Sequence, residues 1–254
     1  TGGRRRGGGR GSELVNWIVE GEPHIDLGEV DPRRFGAYAN KVYTGRKNKE
    51  AFGHNFGIHY PGYEWPEARR AKMMPCYDRL DAAGAVWGAV YGWEIPLWFA
   101  PKGEEARDIW SYRSFNSMPH VGAECRAVRD SVGLFEMTPM AKFEARGPGT
   151  EDWLNRILAN RMPVKIGGIV LAHLLTRKGT VRSEFTVTRL GDEHFYLVGT
   201  PRGERHDFDV LHKSLPADGS VQLTNVTAER GGLTVVGPNA RSLLTDLVDG
   251  DLSN

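Results

Sequence analysis

The sequence predicts an α+β fold, mostly antiparallel sheet with flanking helices. Three observations carry that prediction. Val121, Cys125, Val128 and Val132 recur on one helical face, and Gly133 ends that run. Three β-rich runs, Ile169–Thr176, Val181–Leu190 and His194–Thr200, are joined by short turns at Arg177-Lys178-Gly179-Thr180 and Gly191-Asp192, which is a meander and not a parallel βαβ array. Finally, a strand, a Gly-Pro corner and a helix recur, as FEARGPGTEDWLNRIL from Phe143 and as VVGPNARSLLTDL from Val235. The two corners, Gly147 and Gly237, lie 90 residues apart. Two copies are too few for a solenoid, so they predict one C-terminal domain of two related α+β halves.

The remaining elements follow in order. Six glycines and four arginines fill the first eleven residues, which read as a loop. Ser12 is placed to cap a helix through Val19, with Gly21 closing it. Residues 24–66 are rich in aromatics, Gly and Pro, with an exposed helix expected near Pro32 to Tyr43. Ala85–Phe99 (AVWGAVYGWEIPLWF) reads as β structure kinked at Gly88 and Gly92. Leu134–Arg146 reads as strand interrupted by Pro139.

Charge and cysteine content narrow the function classes. The chain has 254 residues, 33 Lys+Arg and 32 Asp+Glu. Its net charge of +1 becomes about −3 once the four N-terminal arginines are set aside. That balance excludes a general nucleic-acid binder. Cys76 and Cys125 form no CxxC, so a reducing compartment is expected. No apolar run is long enough to span a bilayer, and no signal peptide is visible. The chain opens on Thr1, which suggests a fragment.

Several residues invite chemistry. Gly7-Gly8-Gly9-Arg10-Gly11 precedes a helix, so its amides could face a phosphate, but it matches neither GxGxxG nor a P-loop. His54 and His59 lie five apart, off one helical face, and no metal site is expected. The aromatic band Trp87, Tyr91, Trp93, Trp98 and Phe99 reads first as core and second as a wall for a flat ligand. Glu184 sits inside an apolar strand; if Phe185 and Val187 face the core, Glu184 faces the other side with Thr186. There it is either part of a solvated sheet face or a carboxylate at a pocket mouth.

Taken together, GGGRGSELVNWIVEGEPHIDL (7–27), HYPGYEWPEARRAKMMPCYDRL (59–80), GWEIPLWFA (92–100), VGAECRAVRDSVGLFEMTPMAKFEARGPGTEDWLNRILAN (121–160) and KGTVRSEFTVTRLGDEHFYLVGT (178–200) resemble one family over nearly the whole chain. It is the FAD-dependent dimethylglycine and sarcosine dehydrogenases fused to a glycine-cleavage T-protein-like, folate-binding aminomethyltransferase domain. The resemblance implies a remnant of the FAD-binding oxidoreductase domain at 1–23, an oxidoreductase central domain at 24–81 and a folate-binding domain at 82–254 that stops within its second half. It implies oxidative demethylation of a small N-methyl amino acid by FAD, as a dehydrogenase or an oxidase, with the one-carbon unit passed to tetrahydrofolate. Alone, this piece is not expected to oxidise amines.

The resemblance also assigns residues. T-proteins carry an acidic pair after a Gly-rich turn; here Ser183 takes the first position and Glu184 the second, which makes Glu184 the catalytic candidate. Thr200 matches a position where T-proteins often carry Asn and is the folate-binding candidate. Gly8, Gly9 and Gly11 become flavin-contact candidates, although Arg4–Arg6 departs from the small residues such a contact needs. The implied setting is cytoplasmic, or the mitochondrial matrix in a eukaryote. A stand-alone folate-dependent aminomethyltransferase or folate binder, and a non-catalytic relative, remain the alternatives.

Overall fold

The computed structural model describes residues 7–21, 23–28, 30–176 and 178–252. Residues 1–6, with Arg4–Arg6, and Arg177 of the predicted turn lie outside the described residues. The architecture is mixed α+β with antiparallel sheets and flanking helices.

The N-terminal part is helical where a loop was expected. Helix α1 spans Gly7–Glu20, so Gly7–Gly11 form its first turns. Glycine costs about 1 kcal/mol relative to alanine in a helix. Extending an existing helix gains one hydrogen bond per residue fixed, and the run Ser12–Glu20 supplies that existing helix. The helix expected near 32–43 is instead a 3-10 turn at Pro32–Phe35, capped by Asp31, followed by helix α2 at Lys41–His54. Asn40 starts α2 by accepting hydrogen bonds from the Val42 and Tyr43 amides, both at 3.0 Å. A short helix α3, Tyr77–Ala82, leads into the hairpin of β1 (Ala85–Val90) and β2 (Trp93–Phe99). Its turn, Tyr91-Gly92, has φ of 47° and 84°, the pattern of a primed hairpin turn. Trp93 and Trp98 are buried, and Trp87 stacks on Tyr77 at 4.2 Å. Two of the five aromatics of the band are therefore buried and the other three half-buried, and Val86, Trp98 and Ala100 pack with Val121 of helix α4 (Met118–Asp130).

Six antiparallel strands make the main sheet, in the order β5-β6-β7-β8-β4-β9. They are β4 (Ala141–Arg146), β5 (Leu158–Ala159), β6 (Ile169–Leu175), β7 (Val181–Gly191), β8 (His194–Gly199) and β9 (Gln222–Asn225). The expected meander is β6-β7-β8. Phe143, Phe185, Phe195 and Leu197 point from the sheet against Trp153 and Leu154 of helix α5 (Thr150–Ile157) and Leu211 of helix α6 (Glu204–Lys213). All seven are essentially inaccessible, and each contributes about 1.5–3 kcal/mol by burial. Helix α6 and edge strand β9 are additional to the elements expected from sequence.

The repeated unit is visible at atomic level. Strand β4 leads through Gly147 into α5, and strand β10 (Leu233–Val236) leads through Gly237 into helix α7 (Ala240–Thr245). The two corner glycines have φ of 121° and 123°. A Cβ would lie 2.1 Å from Ser220 O at the first and 2.4 Å from Ser131 O at the second, so only glycine fits either corner. Strand β10 pairs with β3 (Gly133–Glu136) in a separate two-stranded sheet.

Side chains from residues 24–94 pack against the start of α6. Lys72 pairs with Glu204 at 3.3 Å and lies over the rings of Tyr38 and Trp93. Glu94, buried, accepts hydrogen bonds from Arg69 Nε at 3.0 Å and from the Arg70 amide at 2.5 Å. No helix among the described residues is long and apolar enough to cross a membrane.

Candidate functional site

A cavity of about 1160 Å³ opens where four parts of the chain meet. Ile25, Leu27 and Val30 give it an apolar wall, Tyr91 reaches in from the β1-β2 turn, and the starts of β7 and α6 supply polar groups. Arg34, Arg182 and Arg202 add positive charge.

Both folate-site residues named from sequence line this cavity. Glu184 sits where predicted, on the face of β7 opposite the buried Phe185 and Val187. Its cross-strand partner is His173 of β6, and His173 Nε2 lies 3.0 Å from Glu184 Oε2. The Glu184 side chain is 54% exposed, so this carboxylate is both anchored and accessible to a ligand. Thr200 follows β8, and its carbonyl accepts from the Gly203 amide at 3.0 Å in the tight turn that aims α6 at the cavity. Tyr91 is the one member of the aromatic band that lines it.

A chain of polar groups that sequence reasoning missed lies along the same wall. The Asp207 side chain is only 3% exposed. Its Oδ1 accepts from the Ser183 hydroxyl at 2.5 Å and from His206 Nδ1 at 2.9 Å. His206 Nε2 reaches Asp26 Oδ1 at 3.2 Å. Flanked by two carboxylate acceptors, a protonated ring would donate from both nitrogens. The hydrogen bond to Asp207 raises the His206 pKa above the ordinary histidine value; burial opposes this, and the charges of Asp26 and Asp207 add to it. Gly203 makes room for the seat, since a Cβ there would lie 2.0 Å from Asp207 Oδ2. No spacing rule connects residues 26, 183 and 207; the adjacent His-Asp pair at the start of a helix was the only available signal.

Gly8, Gly9 and Gly11, the glycines assigned to flavin, lie in the first turns of α1, so the loop expected there is helix. The rings of His54 and His59, which spacing had kept apart, meet at 4.6 Å because the chain turns at Asn55–Gly57, and His59 Nε2 lies 3.1 Å from the His54 carbonyl. No group of three or more His, Cys, Asp and Glu among the described residues is disposed to hold a metal ion.

Residues 76–254 match the GCVT N-terminal domain, and residues 20–73 match the FAD dependent oxidoreductase central domain. Mitochondrial dimethylglycine dehydrogenase of Rattus norvegicus is 34% identical over 248 residues, covering 97% of this chain and 29% of that protein. Human mitochondrial sarcosine dehydrogenase is 27% identical over 291 residues, covering 98% of this chain and 31% of that protein. The chain thus spans under a third of the length of these relatives. Among solved structures, the glycine cleavage system aminomethyltransferase T from Bartonella henselae is similar at a TM-score of 0.59 and 28% identity, over 72% of this chain and 45% of that one. On a match covering well over half its length, the chain belongs to the GCVT N-terminal domain family, in which it carries an FAD dependent oxidoreductase central domain ahead of the T-protein fold.

Proposed function

We propose that this chain is the one-carbon-accepting part of a flavin-dependent enzyme that oxidatively demethylates a small N-methyl amino acid of the dimethylglycine or sarcosine type, and that its large cavity binds tetrahydrofolate. The observation that carries this reading is the meeting of Glu184 and Thr200, sixteen residues apart in sequence, on the wall of one cavity. The cavity's size and its mix of apolar wall and few polar groups suit a folded small molecule. Arg34, Arg182 and Arg202 complement the carboxylates of a folate tail.

In this reading the Glu184 carboxylate accepts a hydrogen bond from a pterin N–H and holds or moves a proton there, while His173 fixes its orientation. Thr200 hydrogen-bonds the ligand beside it, and Tyr91 offers a ring face to it. FAD, bound mainly by parts of the protein beyond this chain, supplies the oxidation; Gly8 and Gly9, in the first turn of α1, are its proposed contacts here, with Gly11 behind them. The proposed site of action is the mitochondrial matrix in a eukaryote and the cytoplasm in a bacterium, the first following the two mitochondrial relatives.

Anaerobic titration of tetrahydrofolate into the chain, followed by Trp fluorescence, tests the proposal. Saturable quenching is expected, with roughly tenfold weaker binding for Glu184→Gln, the loss typical of one charge-assisted hydrogen bond. An unchanged Trp signal in the wild type refutes the folate reading, and equal affinity in Glu184→Gln removes Glu184 from the site.

A further inference from the structure

We propose that Asp207 is a positioning residue of the cavity, a buried carboxylate that sets Ser183 as a hydrogen-bond acceptor toward the ligand and ties His206 to Asp26 across the cavity wall. The inference rests on the reading of this cavity as the tetrahydrofolate site.

A serine hydroxyl has one hydrogen and two lone pairs. At 2.5 Å from Asp207 Oδ1, an acceptor-only carboxylate, the Ser183 hydrogen is committed. What Ser183 presents to the cavity is then its lone pairs, so this part of the wall selects a ligand N–H or O–H. A reduced pterin ring offers several such donors. A neutral serine thus performs the accepting part of an acid at position 183, with the negative charge withdrawn 2.5 Å behind it.

The other arm of Asp207 acts on the cavity wall. His206 bridges Asp207 on its own helix and Asp26 on the segment ahead of the 3-10 turn. Gly28 of that segment presses on the imidazole so closely that a Cβ would lie 2.7 Å from His206 Cδ2. Ile25, Leu27 and Val30, the apolar wall, belong to the same segment. Protonated His206 therefore holds this wall against α6. The other charges around it are Asp31, Arg33 and Arg34 from the N-terminal side, Arg205 and Asp209 from α6, Arg202 from the turn before α6 and Arg182 from β7. Among these influences the hydrogen bond to Asp207 is the largest, and it favours the cation. Loss of the proton breaks one of the two bridges and loosens the wall.

The test uses the full chain and tetrahydrofolate in anaerobic calorimetry between pH 6 and 8.5, with His206 followed by NMR. Wild-type affinity is expected to fall as pH rises through the His206 titration. In Asp207→Asn the affinity at pH 6.5 drops about tenfold, the pH dependence flattens and the His206 titration moves down. Ser183→Ala weakens binding several-fold but keeps the pH profile, because Asp207 and His206 remain paired; Ser183→Thr restores it. If Asp207→Asn fails to fold, the Ser183 variants decide. Wild-type affinity in Ser183→Ala, or an unchanged profile in a folded Asp207→Asn, overturns the proposal while leaving the folate site standing. A wild-type chain that does not bind tetrahydrofolate overturns both.

Discussion

Gly203→Ala places a methyl group where the Asp207 carboxylate sits. The new Cβ would lie 2.0 Å from Oδ2 and 2.8 Å from Cγ, well inside contact distance. The backbone itself is no obstacle, because Gly203 has φ −79°, which alanine adopts freely. Alanine would even contribute about 0.5–1 kcal/mol by restricting the unfolded chain. Against that stand two routes, both costly. If Asp207 stays, overpacking costs about 1–3 kcal/mol. If it rotates away, it abandons Ser183 and His206, and each hydrogen bond to a charged group is worth about 1.5–3 kcal/mol. The net expectation is a loss of about 2 kcal/mol, or a drop in Tm of roughly 4–8 °C at this chain length. Thermal unfolding by circular dichroism measures it. In an Asp207→Ala background the same methyl group should cost almost nothing, so the double-mutant cycle isolates the clash. A Gly203→Ala protein as stable as wild type, or more so, would refute the seating of Asp207.

Three further expectations follow from other parts of the structure. Gly237→Ala should destabilise by about 1–3 kcal/mol from its φ of 123° alone, with the 2.4 Å approach to Ser131 O adding to this; urea unfolding checks it, and wild-type stability would remove the case for a glycine-only corner. Glu94→Gln removes the negative charge and one acceptor oxygen facing Arg69 in a mostly buried pair and should cost roughly 2–4 kcal/mol, measured as a fall in the urea midpoint; no change would mean that the pair does not hold the hairpin to residues 69–72. Because the folded pKa of His206 is raised, its contribution to stability is complete below the ordinary histidine value and is lost as pH rises through the raised one. Stability should therefore fall as pH rises above about 6.5 in the wild type and fall less in His206→Gln; identical slopes would contradict the bridge to Asp26 and Asp207.

The α+β class, the β6-β7-β8 meander and both strand-corner-helix units were legible because each is written in short-range pattern: alternating apolar residues, turn glycines, leucines at helical spacing. The same alternation put Phe185 and Val187 inward and so turned Glu184 to the opposite face. Family membership was legible for a related reason, since ordered segments along the chain carry it without any contact being known. The helical state of Gly7–Gly11 is also local, an extension backward from the run after Ser12 that the glycine count concealed. Tertiary structure decided the rest, assembling Asp26, Ser183, His206 and Asp207 into one chain of hydrogen bonds. Those four lie on three separate segments, and polar side chains at a cavity wall obey no period. The packing of both β7 and residues 24–34 against α6 brings them within reach of one another.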